Sequence, residues 1–193
     1  MTTGRPKVLA VCGSLRSGSY NAALIDAAAR GAPDLDFSPT GLAGRLPLFD
    51  PDIEQDEAAI PAPAAEFRRH AVAAEAVVIS GPEYARGPSG AAKNALDWLV
   101  GCGGLTDRPT LLMSASPGPA GGLNAQQPIM TTLAFLGAVL VSTVSVPRVA
   151  ARYDTATGLF ESDVRLRVDA AVAELRSAIA YARGRPRTQL IDR

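Results

Sequence analysis

The chain has 193 residues, 47% hydrophobic and 20% charged, a balance typical of one globular domain and unlike that of a disordered or membrane-spanning chain. Its 19 basic residues (Lys and Arg) equal its 19 acidic residues, and no sustained basic run is present, which argues against nucleic-acid binding. No apolar run approaches the length needed to span a bilayer, so no membrane association is expected. The two cysteines lie outside any CxxC arrangement and no signal peptide is visible, so we expect a reducing, cytoplasmic location without a structural disulfide.

The first half of the chain begins with a short apolar run at 7–12, which is typical of a buried parallel strand. A helix is predicted at 21–30, where alanines, leucine and isoleucine supply an apolar stripe. A weak edge strand at 35–39 and a long irregular loop at 41–59 follow. The next helix is predicted at 61–74, with a proline near its first turn, where the missing N–H costs little.

The second half opens at 76–80 on the clearest buried strand of the chain, an unbroken apolar run. A helix is predicted at 90–100 and another strand at 110–115. The helix predicted at 125–136 is expected to be broken or kinked near Pro128, because proline removes a backbone donor and its ring clashes with the preceding turn.

A strand rich in β-branched residues at 138–146 and a helix at 162–183, with Ser162 as its N-cap, complete the pattern. Strand and helix thus alternate five times, which predicts an α/β fold: a doubly wound five-stranded parallel sheet with helices on both faces. No repeat or linker divides residues 1–193, so we expect a single domain. Ligands of such sheets lie beyond the carboxyl ends of the strands, which directs attention to three loops.

The loop after the first strand reads GSLRSGSYN over residues 13–21 and leads into a helix. A phosphate there would meet free N–H groups and the positive end of the helix dipole. It is not a Walker A loop, because Ser19 stands where the lysine must be, and not a GxGxxG fingerprint, because Leu15 replaces the second glycine. A phosphate cradle and an ordinary Gly/Ser turn capping a helix both fit this loop.

The loop after the third strand reads GPEYARGPSG over residues 81–90, and the helix that follows reads AAKNALDW. Such a loop can present rigid backbone amides to a planar ring, with Tyr84 packed against the ring and its hydroxyl in water. Trp98 is predicted to serve core or subunit packing. Lys93 and Asp97 are predicted as solvated or interface charges.

These two motifs together, GSLRxxSxN and PEY followed by SGxxKNALDW, resemble the NAD(P)H-dependent FMN reductase family, which includes flavin, quinone, azo-dye and chromate reductases. The resemblance spans about residues 8–146. It implies a flavodoxin-like fold, FMN as cofactor, NADPH or NADH as electron donor, a small-molecule acceptor, and a homodimer or homotetramer.

The resemblance also implies which residues contact FMN. The phosphate falls to residues of the first loop: Ser14, Arg16, Ser19, Tyr20 and Asn21. The ring and ribityl chain fall to residues of the second: Pro82, Glu83, Tyr84 and Ala85. The pyrimidine side falls to small residues after the fourth strand, unless that segment is a flexible surface loop: Ser116, Gly118 and Gly121. The chain departs from the family at three positions, where members often have asparagine or histidine, serine, and arginine: Ala85, Gly87 and Asn124.

The resemblance implies that hydride passes from NAD(P)H to the flavin and that an acceptor then takes its place on the same face, which needs no protein acid or base. The chain has a single histidine, His70, predicted on a helix surface, and no paired carboxylates, so no catalytic residue and no metal site are predicted. Two alternatives stay open. One is a flavodoxin-like electron carrier that does not oxidise a nicotinamide, and the other is a hydrolase or phosphatase, which the missing GxSxG motif disfavours.

Overall fold

The computed structural model describes residues 4–184 and is built on one five-stranded parallel sheet. Its strands are β1 (Lys7–Cys12), β2 (Asp36–Phe37), β3 (Ala76–Ser80), β4 (Pro109–Ala115) and β5 (Val139–Val146). Their order across the sheet is β2-β1-β3-β4-β5, and every neighbouring pair is parallel. This is the doubly wound order of flavodoxin-like proteins, whose winding reverses between β1 and β3. The predicted fold class is therefore confirmed.

Five long helices cover the two faces of the sheet: α1 (Tyr20–Gly31), α2 (Ala62–Ala73), α3 (Gly90–Asp97), α4 (Leu123–Phe135) and α5 (Ser162–Gly184). Helices α1 and α5 share one apolar core with one set of strand side chains, and α2, α3 and α4 share a second core with the other set. Every residue of β3 and β4 is buried, because a parallel sheet covered on both faces leaves no side of its central strands to water. This double coverage explains why the middle of each strand is apolar on both sides, at 76–79 in β3 and at 111–113 in β4.

The segment 41–59 is not the long irregular loop that its prolines and glycines suggested. It contains three short helical turns, at Leu42–Arg45, Pro51–Glu54 and Glu57–Ala59. The second turn is capped by the Asp50 carboxylate, which accepts a hydrogen bond from the Asp52 N–H at 2.9 Å, and the third is capped in the same way by Asp56. Capping aspartates stabilise such turns without any apolar periodicity, so the turns are not predicted by the spacing of apolar residues.

Helix α3 holds this segment in place through two polar side chains. Asn94 accepts a hydrogen bond from the Phe49 N–H at 2.8 Å and donates one to the Pro47 carbonyl at 2.9 Å. The Trp98 indole N–H donates to the same carbonyl at 2.9 Å, and its ring meets the Phe49 ring edge-on at 5.2 Å. Trp98 is completely buried, so of the two predicted roles it serves the core of its own chain. Lys93 and Asp97 form an ion pair at the surface of the helix.

Three further local details differ from the predictions. Two small hairpins were not foreseen, one pairing Glu83–Tyr84 with Gly87–Pro88 and one pairing Tyr153–Asp154 with Leu159–Phe160. Helix α4 continues through Pro128, so of the expected break or kink the break does not occur. Helix α5 begins at Ser162 itself, which shifts the N-cap position to the preceding residue. Two-residue strands are too short to show a period, which explains the missed hairpins.

No helix within residues 4–184 combines the length and the apolar character that crossing a bilayer would require. The same residues contain no group of three His, Cys, Asp or Glu side chains placed to hold a metal ion.

Candidate functional site

Three loops meet at the carboxyl edge of the sheet: the first loop (residues 13–19), the second loop (81–89) and the third loop (116–122). They meet because β1, β3 and β4, which they follow, are adjacent and parallel. The Gly13 N–H donates to the Ser80 carbonyl at 2.8 Å, which joins the start of the first loop to the end of β3. The Gly81 N–H donates to the Met113 carbonyl at 3.2 Å, which joins the start of the second loop to β4. The predicted grouping of the three loops is what the structure shows.

The first loop carries an uninterrupted row of backbone donors. Among the described residues, none of the N–H groups of residues 14–19 donates to a protein acceptor. The loop is largely exposed between Leu15 and Gly18, and it runs directly into the amino end of α1. Free N–H groups together with the positive end of a helix dipole form an environment suited to an anion such as a phosphate.

Ser19 joins this row of donors to the helix. Its hydroxyl oxygen accepts hydrogen bonds from the N–H groups of Asn21 at 3.2 Å and Ala22 at 3.3 Å, which makes it the N-cap of α1. The hydroxyl hydrogen remains available for donation, because a capping serine uses only its lone pairs. Ser19 therefore fits both a structural role and a contact with a bound anion.

Asn21 lies deeper than its place in the motif suggested. Its amide nitrogen donates to the Ala115 carbonyl at 3.1 Å, and its amide oxygen accepts from the Ala115 N–H at 2.9 Å and the Ser80 hydroxyl at 3.1 Å. The residue is only 4% exposed. Three of the four hydrogen-bonding capacities of an asparagine side chain are thus used inside the protein. Asn21 fastens the start of α1 to the carboxyl ends of β3 and β4.

Arg16 and Tyr20 form the outer wall of the first loop. The Arg16 guanidinium donates to the Gly18 carbonyl at 3.2 Å and lies 5.5 Å from the centre of the Tyr20 ring. Tyr20 in turn meets Tyr153 edge-on at 5.4 Å. These contacts hold the charge of Arg16 beside the unpartnered N–H groups while most of its own N–H groups stay free, a combination suited to phosphate oxygens.

Cys12 lies at the end of β1, immediately beneath the first loop, and did not feature among the predicted site residues. Burial raises the pKa of its thiol above the ordinary value. The thiol donates a hydrogen bond to the Ser14 carbonyl at 3.5 Å. The thiol is therefore neutral at physiological pH and poorly nucleophilic. It serves as a small apolar group in the core.

The second loop is a tight hairpin whose two central residues, Ala85 and Arg86, both have positive φ, 49° and 60°. This is the geometry of a type I′ turn, which favours Asn and Gly because other side chains crowd the backbone in the left-handed region. Buried Pro82 leads into the hairpin, and the Tyr84 side chain beside the turn is 55% exposed. The hairpin thus presents one aromatic ring to solvent at the edge of the site.

Ser89 connects the second loop to the first, a role that the motif did not reveal. Its hydroxyl donates to the Gly13 carbonyl at 2.6 Å and accepts from the Ala92 N–H at 3.2 Å as the N-cap of α3. The side chain is buried. A single serine therefore sets both the start of α3 and the position of the first loop relative to it.

The third loop is held from below by buried side chains. Ser114 donates to the Gly121 carbonyl at 2.5 Å and accepts from the Gln126 amide at 2.9 Å, and this amide also donates to the Val144 carbonyl at 3.1 Å. In the loop itself the Ser116 hydroxyl accepts from the Gly118 N–H at 3.2 Å. Gly121 has a φ of 63°, which a larger residue would adopt only with strain. These bonds favour an ordered loop over the flexible surface loop that the sequence left open.

Glu83 connects the second loop to the third. Its carboxylate accepts hydrogen bonds from the Asn124 side-chain amide at 2.8 Å and from the Asn124 backbone N–H at 3.3 Å. Helix α4 has Gly122 at its N-cap position, with no capping side chain of its own. The half-buried carboxylate of Glu83 therefore caps α4 from another part of the chain.

His70 lies outside this site. It is half-buried on α2 and lines a groove of about 390 Å³ at the β2 edge of the sheet, together with Lys7, Asp36, Phe37 and Arg69. The groove contains residues of none of the three loops. His70 thus lies on a helix, as predicted, but its side chain is half-buried and not fully exposed.

A family model described as NADPH-dependent FMN reductase matches residues 6–151 of this chain. Among curated relatives, a quinone reductase of Escherichia coli is 32% identical over 142 residues, which are 70% of this chain and 73% of the relative. An NAD(P)H-dependent FMN reductase of Pseudomonas aeruginosa is 35% identical over 133 residues, 67% of this chain and 70% of the relative.

Among solved structures, the chain is similar to FerB, a flavoenzyme NAD(P)H:(acceptor) oxidoreductase from Paracoccus denitrificans. The two share 26% of their residues with a TM-score of 0.74, over 90% of this chain and 98% of FerB. The residues matched by the family model, 6–151, run from before β1 to beyond β5 and therefore include all three carboxyl-edge loops.

Proposed function

Because this chain belongs to the NADPH-dependent FMN reductase family, it is a flavin-dependent oxidoreductase, and we propose that the three carboxyl-edge loops are its FMN site. The observation that carries the proposal is the row of unpartnered backbone N–H groups at residues 14–19, placed at the amino end of α1. A phosphate monoester supplies the several acceptor oxygens and the negative charge that this row lacks. The donor set of the first loop therefore fits the phosphate end of FMN.

We propose distinct roles for the residues around this phosphate. Ser14 and Ser19 offer hydroxyl donors, and Arg16 offers a fixed charge with several N–H groups. Tyr20 supports Arg16 from below through its ring. Asn21 belongs to the set as a positioning residue, since its amide is already bonded to β3 and β4.

The ring and ribityl chain of FMN would then lie against the second and third loops. The contacts that we propose there come from the hairpin and from the small residues after β4: Pro82, Glu83, Tyr84, Ala85, Ser116, Gly118 and Gly121. The exposed ring of Tyr84 and the glycine backbone of the third loop both suit a flat ligand, the first by packing and the second by allowing close approach.

When bound, FMN supplies the redox chemistry, taking hydride from NAD(P)H and passing electrons to a small-molecule acceptor. The residues of this chain bind and orient. None of the side chains around the three loops forms a nucleophile–base pair, and we assign no catalytic residue. Quinones and flavins are the acceptors that we propose, on the strength of the relatives' names.

Titration of the purified protein with FMN and with riboflavin tests this assignment. We expect stoichiometric FMN binding and NADPH oxidation when a quinone is added. The Arg16→Ala variant should bind FMN at least about tenfold more weakly, because it loses a charge-assisted hydrogen bond to phosphate, yet should bind riboflavin almost as the wild type does.

The matched control is Arg69→Ala, which removes an exposed arginine from α2, outside the three loops. It should change neither affinity. A protein that stays colourless and does not bind FMN would contradict the proposal. Tight FMN binding without oxidation of NADPH or NADH would instead support the electron-carrier alternative.

We also propose that the protein is a homodimer or a homotetramer with the flavin near a subunit contact. Leu48 is 83% exposed on a segment that α3 holds rigidly, and Val100 is 44% exposed just beyond α3. Large apolar side chains held in water favour a partner surface. Light scattering at micromolar concentration should give at least twice the chain mass, and a monomer would contradict this proposal.

Two further proposals concern location and domain organisation. Cys12 and Cys102 are both free thiols, which favours the reducing environment of the cytoplasm. Within residues 4–184, one sheet with an apolar core on each face supports the single domain that we propose for the chain of residues 1–193.

A further inference from the structure

The Glu83 carboxylate is a negative charge at the junction of the two loops proposed to hold the flavin ring. It follows β3 directly, between Pro82 and Tyr84, and reaches across to the start of α4 at Asn124. We infer that Glu83 makes the acceptor site select neutral acceptors, such as unsubstituted quinones, over anionic ones. This inference rests on the proposed function, because it takes the acceptor to stack on a flavin held by these loops.

No cationic side chain in the described part of the chain pairs with this carboxylate. Within residues 4–184, none of the ion pairs includes Glu83, and both hydrogen bonds that it accepts come from neutral groups of Asn124. Arg86 lies on the same hairpin but is exposed at its tip, where water and salt screen its charge. Glu83 is half-buried, so its field is screened less.

The amino end of α4, which could attract an anion, is already occupied by the Glu83 carboxylate. The amino end of α4 carries the positive end of a helix dipole, and Gly122 offers it no capping side chain. The N–H groups of Leu123 and Ala125 already donate to backbone carbonyls. The Glu83 carboxylate occupies this position and accepts from the Asn124 N–H. An anionic acceptor near the ring would therefore be repelled by the Glu83 carboxylate and could not bind at the amino end of α4, which this carboxylate already occupies. The affinity of a neutral quinone would not be reduced in this way.

A pair of quinones that differ in charge tests the inference on the FMN-loaded protein. Dissociation constants of menadione, which is neutral, and of a naphthoquinone sulfonate are measured from the change in flavin absorbance, without any reductant. In the Glu83→Gln variant the affinity for the sulfonate relative to menadione should rise about fivefold, the scale of one charge acting over roughly 8 Å in partly solvated protein. Glutamine keeps an oxygen that accepts from Asn124, so the loop contact is retained.

A second variant keeps the Glu83 carboxylate but neutralises its charge with a neighbouring cation. Asn124→Arg places a cation beside Glu83 and should shift the ratio in the same direction as Glu83→Gln. The control Glu174→Gln removes an exposed carboxylate from α5 and should leave the ratio unchanged. High salt should reduce the shift, because it screens charge.

An affinity ratio in Glu83→Gln and Asn124→Arg that equals the ratio in Glu174→Gln overturns the inference while leaving the proposed function standing. Failure of the wild type to bind FMN at all would remove the proposed function and this inference together. The two failures are therefore distinguished by the flavin spectrum before any quinone is added.

Discussion

The Asn21→Asp variant is expected to lose about 3–4 kcal/mol of unfolding free energy at pH 7, a cost on the scale of an uncompensated buried charge. The amide of Asn21 donates to the Ala115 carbonyl, and a carboxylate cannot. Replacing the amide nitrogen by a charged oxygen would leave two oxygens facing each other inside the protein. Urea denaturation followed by circular dichroism measures the loss.

The matched control for this change is Gln127→Glu, which also turns an amide into a carboxylate but at an exposed position in α4. It should alter stability by no more than about 0.5 kcal/mol. A loss in Asn21→Asp no larger than in this control would show that the bonds from α1 to β3 and β4 contribute little.

The Gly13→Ala variant is expected to lose about 3 kcal/mol of unfolding free energy and to bind FMN more weakly than the wild type. A Cβ atom on Gly13 would lie 2.8 Å from both the Ala92 Cβ and the Ser89 hydroxyl oxygen, and 3.2 Å from the Gly81 Cα. These neighbours belong to α3 and the second loop and are buried or part of the backbone, so relief requires the loops to separate. The row of N–H groups begins at the next residue, so the same movement would disturb the proposed phosphate site.

Gly90→Ala provides the comparison, since it adds the same methyl group at the start of α3. Nothing lies within 4 Å of that position and its φ is not positive, so the change should be neutral or slightly stabilising. Equal stability of the two variants in thermal melts would refute the packing argument for Gly13.

The sheet was predictable because its physical cause is visible in the chain. A strand buried on both faces is mostly apolar, so β3 and β4 contain short apolar runs, at 76–79 and 111–113, wherever their neighbours lie. The hairpin at Glu83–Tyr84 was not predictable in this way. It depends on positive φ angles at Ala85 and Arg86, residues that carry no preference for that conformation.

The candidate site divides in the same manner. The donors of the first loop were expected from a glycine and serine run between a strand and a helix, and the structure leaves their N–H groups unpartnered. The contact roles of the individual residues stay predictions. The contacts of Ser89 and Asn124 between the loops were not expected. The sequence does not indicate whether a hydroxyl or an amide side chain will bond to a ligand or to another loop of the same chain.

The amino-acid sequence by itself determined the alternation of strand and helix, the α/β class and which three loops follow the strands at one edge of the sheet, because burial and turn formation act on neighbouring residues. The tertiary structure alone decided that Asn21 faces inward and that Glu83 caps a helix forty residues further along the chain. Both depend on groups that are distant in the chain and become neighbours only when parallel strands bring their carboxyl ends together.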